Sequence, residues 1–245
     1  MTGQNVQDRE VLRRNTVSFG RRDGRRQGQY SRSPRPELAR YVVTPDAGER
    51  STSLDPSWRL EPPAAFGRVA PLVVEIGSGT GEAALDYAAA HPELDHLAVE
   101  VYRPGAARTV VQAGVRGIQN IRVLESDGRS LLATGLPAGS IVALHVYFPD
   151  PWPKARHHKR RLVDEDFVAD AARALAPDGV LRLATDWEHY AQQMLAVGSA
   201  CTDLVNPHAA QGWAPRFERR PLTLYERKGV AARRRIYDLE FLRRS

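Results

Sequence analysis

From residue 71 onward the chain alternates short apolar runs with helix-favouring stretches, and this alternation limits the folds open to it. The runs are Leu72-Val73-Val74-Glu75-Ile76, then 96–101, 121–124, 141–147 and 180–184. Between them lie an Ala-rich stretch at 82–90, residues 104–116, and residues 162–176, where apolar positions recur at helical spacing. Pro177-Asp178-Gly179 marks a turn before the last run, and 187–198 reads as a further helix. Strands alternating with helices imply right-handed crossovers and a mainly parallel sheet with helices on both faces, an α/β fold. In such a sheet ligands sit beyond the carboxyl ends of the strands, so the residues after each run are the place to look.

The first run leads into Glu75-Ile76-Gly77-Ser78-Gly79-Thr80-Gly81. Alternate glycines let the backbone turn tightly and let a ligand approach it. The spacing differs from the dinucleotide fingerprint, because Glu82 stands where its third glycine belongs, and no Gly-Lys-Ser/Thr follows to make a P-loop. A tight turn with no ligand stays open. The second run ends at Glu100, where a carboxylate can accept the hydroxyls of a ribose, and the third is followed by Asp127, which can accept from an adenine amino group. Each acid alone reads equally well as a surface residue. Together they fit an adenosine ligand without phosphate, since Glu75 and Glu82 beside the glycines repel phosphate. S-adenosylmethionine, with its sulfonium and amino-acid tail, is such a ligand.

The run at 141–147 ends in Tyr147-Phe148-Pro149-Asp150-Pro151-Trp152-Pro153-Lys154. Its prolines fix φ and remove donors, so the loop is stiff and presents Asp150, while Trp152 offers a stacking face to a base. The segment 154–161 then carries Lys154, Arg156, Lys159, Arg160 and Arg161 with His157 and His158 and no acid. It reads as a phosphate-contact patch or as a solvated helix start. The adjacent histidines point apart with no third ligand nearby, so no metal site is expected. Asp186, after the run at 180–184, is either a helix N-cap or part of the acidic edge.

Charge is distributed unevenly. The formal net charge is +6, and residues 1–40, with ten Arg against four acids, account for all of it. Such an arm commonly meets polyanions or stays a solvated tail. The expected organisation is a basic, mobile N-terminal arm at 1–40 and one domain at 41–245, with 44–67 as connecting segment. The single Cys201 rules out an intrachain disulfide. No run of 18 apolar residues is present, so no membrane span is expected, and the N-terminus lacks a secretory h-region. The default compartment is the cytoplasm.

In order, Glu75-Ile76-Gly77-x-Gly79-x-Gly81, Val99-Glu100-Val101, the Phe148–Trp152 loop with its basic tail to Arg161, Ala184-Thr185-Asp186-Trp187 and Arg220-Pro221-x-Thr223-x-x-Glu226 resemble the bacterial tRNA (guanine-N7-)-methyltransferases. Ser18-Phe19-Gly20-Arg21-Arg22-x-Gly24-Arg25 is similar to their N-terminal segment, so the resemblance runs from about 18 to 242. It implies a class I S-adenosylmethionine-dependent methyltransferase fold, Rossmann-like, and formation of 7-methylguanosine in the tRNA variable loop. It further implies that Glu75, Glu100, Asp127 and Asp150 line the S-adenosylmethionine site, with the glycines 77, 79 and 81. Asp150 is implied as catalytic. Lys154, Asp186 and Thr223, Leu224, Tyr225 and Glu226 are implied to contact tRNA, and 156–161 to contact RNA. Leu224 departs from the pattern, which commonly has a lysine there. No obligate protein partner is inferred. Other readings are an amino-group methyltransferase acting on another RNA base, a non-catalytic RNA-binding protein of this fold, and a dinucleotide oxidoreductase, the last disfavoured by the glycine spacing.

Overall fold

The computed structural model describes residues 36–46 and 52–245. Most of the expected arm, including the 18–25 motif, lies outside the described residues. Its last residues, 36–40, belong to a 3-10 helix, Pro36–Tyr41, whose Tyr41 is fully buried.

Eight strands form one sheet: β1 (Val42–Val43), β2 (Leu72–Ile76), β3 (Asp95–Val99), β4 (Ile121–Leu124), β5 (Ile141–Tyr147), β6 (Leu175–Thr185), β7 (Leu204–Val205) and β8 (Tyr237–Arg243). Their order is β1-β4-β3-β2-β5-β6-β8-β7, parallel from β1 to β6, with β8 antiparallel to both β6 and β7. The order reverses between β2 and β5, which pair directly through Val73–Ala143, Val74–Leu144 and Glu75–His145. That reversal is the crevice in which such sheets hold ligands.

The helices are α1 (Pro62–Phe66), α2 (Glu82–Ala90), α3 (Arg103–Arg116), α4 (Gly128–Ser130, running into a π turn at Leu131–Gly135), α5 (Glu165–Ala174), α6 (Glu188–Ala200) and α7 (Leu224–Ala231). α1 falls inside the expected connecting segment, started by its prolines and stopped by Gly67 in the left-handed region. α5 is shorter than its apolar spacing suggests. Asp164 accepts the N–H of Phe167 at 3.0 Å and fixes the start, while Val163, still buried, donates its N–H to the Tyr190 hydroxyl at 2.9 Å. The turn at 177–179 interrupts β6 without ending it, so Ile141 pairs with Leu175 and Ala143 with Val180.

The two faces of the sheet differ in chemistry. One buries Leu72, Val74, Ile76, Leu97, Val99, Leu144, Val146, Leu181, Leu183, Leu239 and Phe241 with Phe167 and Val168 of α5 and Tyr190 and Met194 of α6. The other is apolar under α2 and α3, through Ala84, Leu85, Ala98, Ala106, Val110 and Val123. Towards β5, β6 and β8 it turns polar and aromatic, with Glu75, His96, His145 and Tyr147 beside Tyr87 and Phe217.

On the apolar face Gly198 of α6 lies against the ring of Phe241, and a Cβ there would collide with three ring carbons. Gly198→Ala is expected to destabilise the protein by about 1–3 kcal/mol through overpacking. In urea melts the double variant with Phe241→Leu should be less destabilised than the sum of the singles; additivity would contradict this packing account.

Candidate active site

The glycine loop is built by backbone conformation. Gly77, Gly79 and Gly81 have φ of 76°, 59° and 79°, the left-handed region that side chains rarely adopt. The loop is tied to the sheet by the N–H groups of Gly77 and Ser78, both donating to Val99 O, at 2.8 and 3.1 Å. On its far side α3 presses close. A Cβ on Gly105 would collide with the Gly79 carbonyl, and one on Gly81 with Thr109. Gly105 and Thr109 are parts of the site that the sequence reading missed; a glycine inside a helical pattern was the available signal.

Glu100, just beyond β3, is buried, and its carboxylate closes the loop. Oε2 accepts from Gly79 N–H and Oε1 from Tyr102 N–H, both at 2.6 Å. Burial raises its pKa, partly offset by these amides, and the nearby charge of Asp150 raises it further. Asp150 follows β5, on the other side of the β2–β5 reversal from Glu100. Asp127, after β4, is half-buried and caps α4, accepting from Arg129 N–H at 3.4 Å.

Glu75 is almost completely buried near the end of β2, and its Oε2 has no hydrogen-bond partner among the described residues. His96 Nε2 lies 3.9 Å away. Burial, then the charge of Glu100, pushes the Glu75 pKa up to about 8 against the opposing pull of Arg220. The same polar layer holds His96, pushed down to about 3 by burial and His91, and His145, held well below the usual histidine range chiefly by burial. The Tyr147 hydroxyl is raised by burial and by Glu75.

Asp150 is exposed in a loop held by more than its prolines. Phe148 and Trp152, neither a glycine, sit at φ 53° and 42°, conformations that cost about 1–3 kcal/mol each and persist only when surroundings enforce them. Three contacts do so. Phe148 N–H donates to Ala184 O at 2.7 Å, Arg161 Nε donates to Pro151 O at 2.9 Å, and the Arg220 guanidinium lies 5.6 Å from the Phe148 ring. The Trp152 ring, read as a platform for a base, has Arg160 over it at 5.0 Å and His157 at its edge at 5.9 Å.

The basic run forms a 3-10 helix, Ala155–Arg160. Lys154, Arg156 and Lys159 are exposed, His157, His158 and Arg160 half-buried, and His158 lies against the His189 ring at 4.7 Å. Arg161 corrects the sequence reading. It is 1% exposed, donates to Gln193 Oε1 at 2.6 Å and lies 4.8 Å from the Tyr190 ring. It braces the loop from beneath and does not face a phosphate.

Asp186 does not cap α6, whose N-cap is Trp187; it pairs with Arg234 Nε at 3.0 Å and backs onto Gly229 of α7. Thr223-x-x-Glu226 is half of a capping box. Thr223 Oγ1 accepts the Glu226 N–H at 3.2 Å, and Glu226, 2% exposed, turns inward to Arg216 at 2.7 Å and Arg220 at 3.1 Å. These arginines hold its pKa below the usual range although burial pulls the other way. The spacing that signals a capping box was available in the sequence and was not read as one. Leu224 and Tyr225 are exposed on α7. Among the described residues no group of His, Cys, Asp and Glu is arranged to hold a metal, and no helix is long and apolar enough to cross a membrane.

His96 and His145 are neutral in the folded protein, whereas in the unfolded chain each takes up a proton below its ordinary value near 6.5. Their contribution is present above that pH and is lost as pH falls. His145→Asn should flatten the dependence of unfolding free energy on pH between 6.5 and 5 by up to one proton, about 1.4 kcal/mol per pH unit. Urea melts at several pH values check this, and an unchanged slope contradicts it.

Residues 69–239 match the profile of a family described as "Putative methyltransferase". A tRNA (guanine-N(7)-)-methyltransferase of Leifsonia xyli subsp. xyli is 52% identical over 182 residues, covering 74% of this chain and 80% of the relative. Proteins of the same description from Arthrobacter sp. (strain FB24) and Cutibacterium acnes are 38% and 42% identical, covering 93% and 95% of this chain and 86% and 84% of their own lengths. With a glycine loop, strand-end acids and a proline-rich loop meeting at the sheet's reversal, and relatives matched over most of their length, this chain belongs to the tRNA (guanine-N7-)-methyltransferase family.

Proposed function

We propose that this protein transfers a methyl group from S-adenosylmethionine to N7 of a guanosine in the variable loop of tRNA. The observation that carries the reading is the placement, on either side of the β2–β5 reversal, of two carboxylates from different strand ends: Glu100 after β3, closing the glycine loop, and Asp150 in the braced loop after β5.

The residues fit the methyl donor. Glu75 brings a buried carboxylate oxygen without a hydrogen-bond partner among the described residues, suited to an ammonium, and Glu100 and Asp127 follow β3 and β4 at the carboxyl edge where such sheets hold ligands, as acceptors for the ribose hydroxyls and the adenine amino group. When bound, S-adenosylmethionine supplies an electrophilic methyl on a sulfonium. Guanine N7 is a lone pair with no proton to lose, so no general base is needed at that atom. The protein's task is positioning and charge. The base becomes cationic as it is methylated, and Asp150, a carboxylate on a braced loop, offsets that charge and accepts from the guanine N1 and amino edge. Lys154, Arg156, Lys159 and Arg160 hold phosphates, with His157 and His158 on the same turn. Thr223, Leu224, Tyr225 and Asp186 border the acceptor, and Glu226 acts from beneath them through Arg216 and Arg220. The charged, unevenly basic chain agrees with a tRNA partner.

Two sets of measurements test this, the first on the product and the chemistry. Purified protein, labelled donor and unmodified tRNA should yield 7-methylguanosine on nucleoside analysis. Asp150→Asn and Asp150→Ala should lower turnover at least about 100-fold, the scale of lost transition-state electrostatics, with tRNA affinity little changed. Near wild-type turnover in both removes Asp150 from the mechanism, and a different methylated base removes the assignment to N7. Second, Glu75 carries its proton at pH 7 in the free protein, since its pKa is raised to about 8. Pairing with a cation favours the ionised form, so donor binding should release up to one proton and tighten as pH rises from 6 to 8. Calorimetry in buffers of differing ionisation enthalpy reads the release; none in the wild type, or the same release in Glu75→Gln, contradicts it.

A further inference from the structure

Glu82 is the first residue of α2, immediately after the glycine loop. A carboxylate there is favoured by its own helix dipole in any rotamer. The dipole does not explain where the side chain goes. Oε2 accepts the N–H of Leu224 at 2.7 Å, and Oε1 lies 3.2 Å from an Arg227 guanidinium nitrogen. Leu224 is the first residue of α7, and a helix's first four N–H groups have no partner within it. Thr223 takes one, from Glu226; Glu82 takes another from 142 residues away. One carboxylate thus sits at the N-termini of two helices, one leaving the glycine loop and the other carrying the Thr223–Glu226 segment. Leu224 contributes only its backbone to this joint, and the cation is Arg227, one turn on.

Both side chains are partly exposed, 36% for Glu82 and 49% for Arg227, and exposed pairs add little to stability. What distinguishes the pair is its position between the two halves of the proposed site. We propose that Glu82 is a positioning residue that couples the donor loop to the acceptor segment, capping α7 through Leu224 and pairing with Arg227, so that donor and tRNA binding reinforce each other. The inference rests on the function proposed above. Ligand at the loop fixes the base of α2, Glu82 then fixes the start of α7, and linkage makes the effect reciprocal.

The test measures tRNA affinity with and without saturating S-adenosylhomocysteine, using fluorescence anisotropy, in wild type, Glu82→Ala, Glu82→Gln, Arg227→Ala and the Glu82→Ala/Arg227→Ala double variant. Hydrogen exchange of residues 224–227 is followed in the same samples. In the wild type the homocysteine should tighten tRNA binding about 5-fold or more, the usual range for coupled sites, and slow exchange at 224–227. Both effects should fall towards none in Glu82→Ala. Arg227→Ala should reduce them, with the double variant no worse than Glu82→Ala alone. Glu82→Gln, which keeps an acceptor for the Leu224 amide, should retain part. Equal coupling in wild type and Glu82→Ala overturns the proposal, as does a wild type that methylates tRNA without any coupling. A wild type that fails to methylate tRNA but loses coupling in Glu82→Ala overturns the proposed function and leaves the joint standing.

Discussion

A guanidinium with no exposed surface cannot be left without anions, and Arg220 is the point on which this site closes. It pairs with Glu226 of α7 and Asp238 of β8, and its plane lies 5.1 Å from the Tyr147 ring and 5.6 Å from that of Phe148. Burial alone would lower its pKa; the two carboxylates more than offset that and hold it above the ordinary arginine value. One side chain therefore joins the sheet's antiparallel strand, the helix bearing Thr223 and the loop bearing Asp150. Its charge also reaches Glu75, opposing the rise caused by burial. Structural bracing and the electrostatics of the proposed donor site are the same interaction seen from two sides.

The polar half of the second face follows from this. A parallel strand between two helix layers normally reads as apolar throughout. Here α2 and α3 cover only part of that face, and the rest lies under a segment around Phe217, which stands 5.8 Å from the His145 ring and carries Arg182 at 4.1 Å. Neutral imidazoles and a phenol fill that layer compactly while keeping it responsive to nearby charge, which suits a site in which a cation is to be received.

Much of this was readable in the residues themselves. Apolar runs and their stops located five strands of the sheet, because burial on both faces leaves a largely apolar signature, broken only by single residues such as Glu75, Arg122 and His145. The glycine spacing marked the loop, because a left-handed backbone demands that residue. What was not readable was which charges are inside. Arg161 looks like its neighbours in a basic run, but its partners Gln193 and Tyr190 come from α6, thirty residues on. Glu226 looks like a surface acid until Arg216 and Arg220 fold over it. Local pattern reports periodicity and backbone demand; it does not report long-range pairing. The strand β8 escaped for a different reason: Tyr237, Leu239 and Phe241 alternate with Asp238 and Glu240, a period-two pattern unlike the apolar runs that marked the other strands.

The place of β8 in the sheet bears on how the molecule is made. β7 pairs with β8, not with the strand that precedes it, and β8 inserts between β6 and β7. During synthesis the edge of β6 therefore emerges with its backbone donors and acceptors open, and stays so until residues 237–243 arrive to zip into the gap. Until then Arg220 also lacks Asp238. The nascent chain passes through an interval in which a bare strand edge invites pairing with other chains, and the loop bearing Asp150 gains its full support only when that insertion is complete.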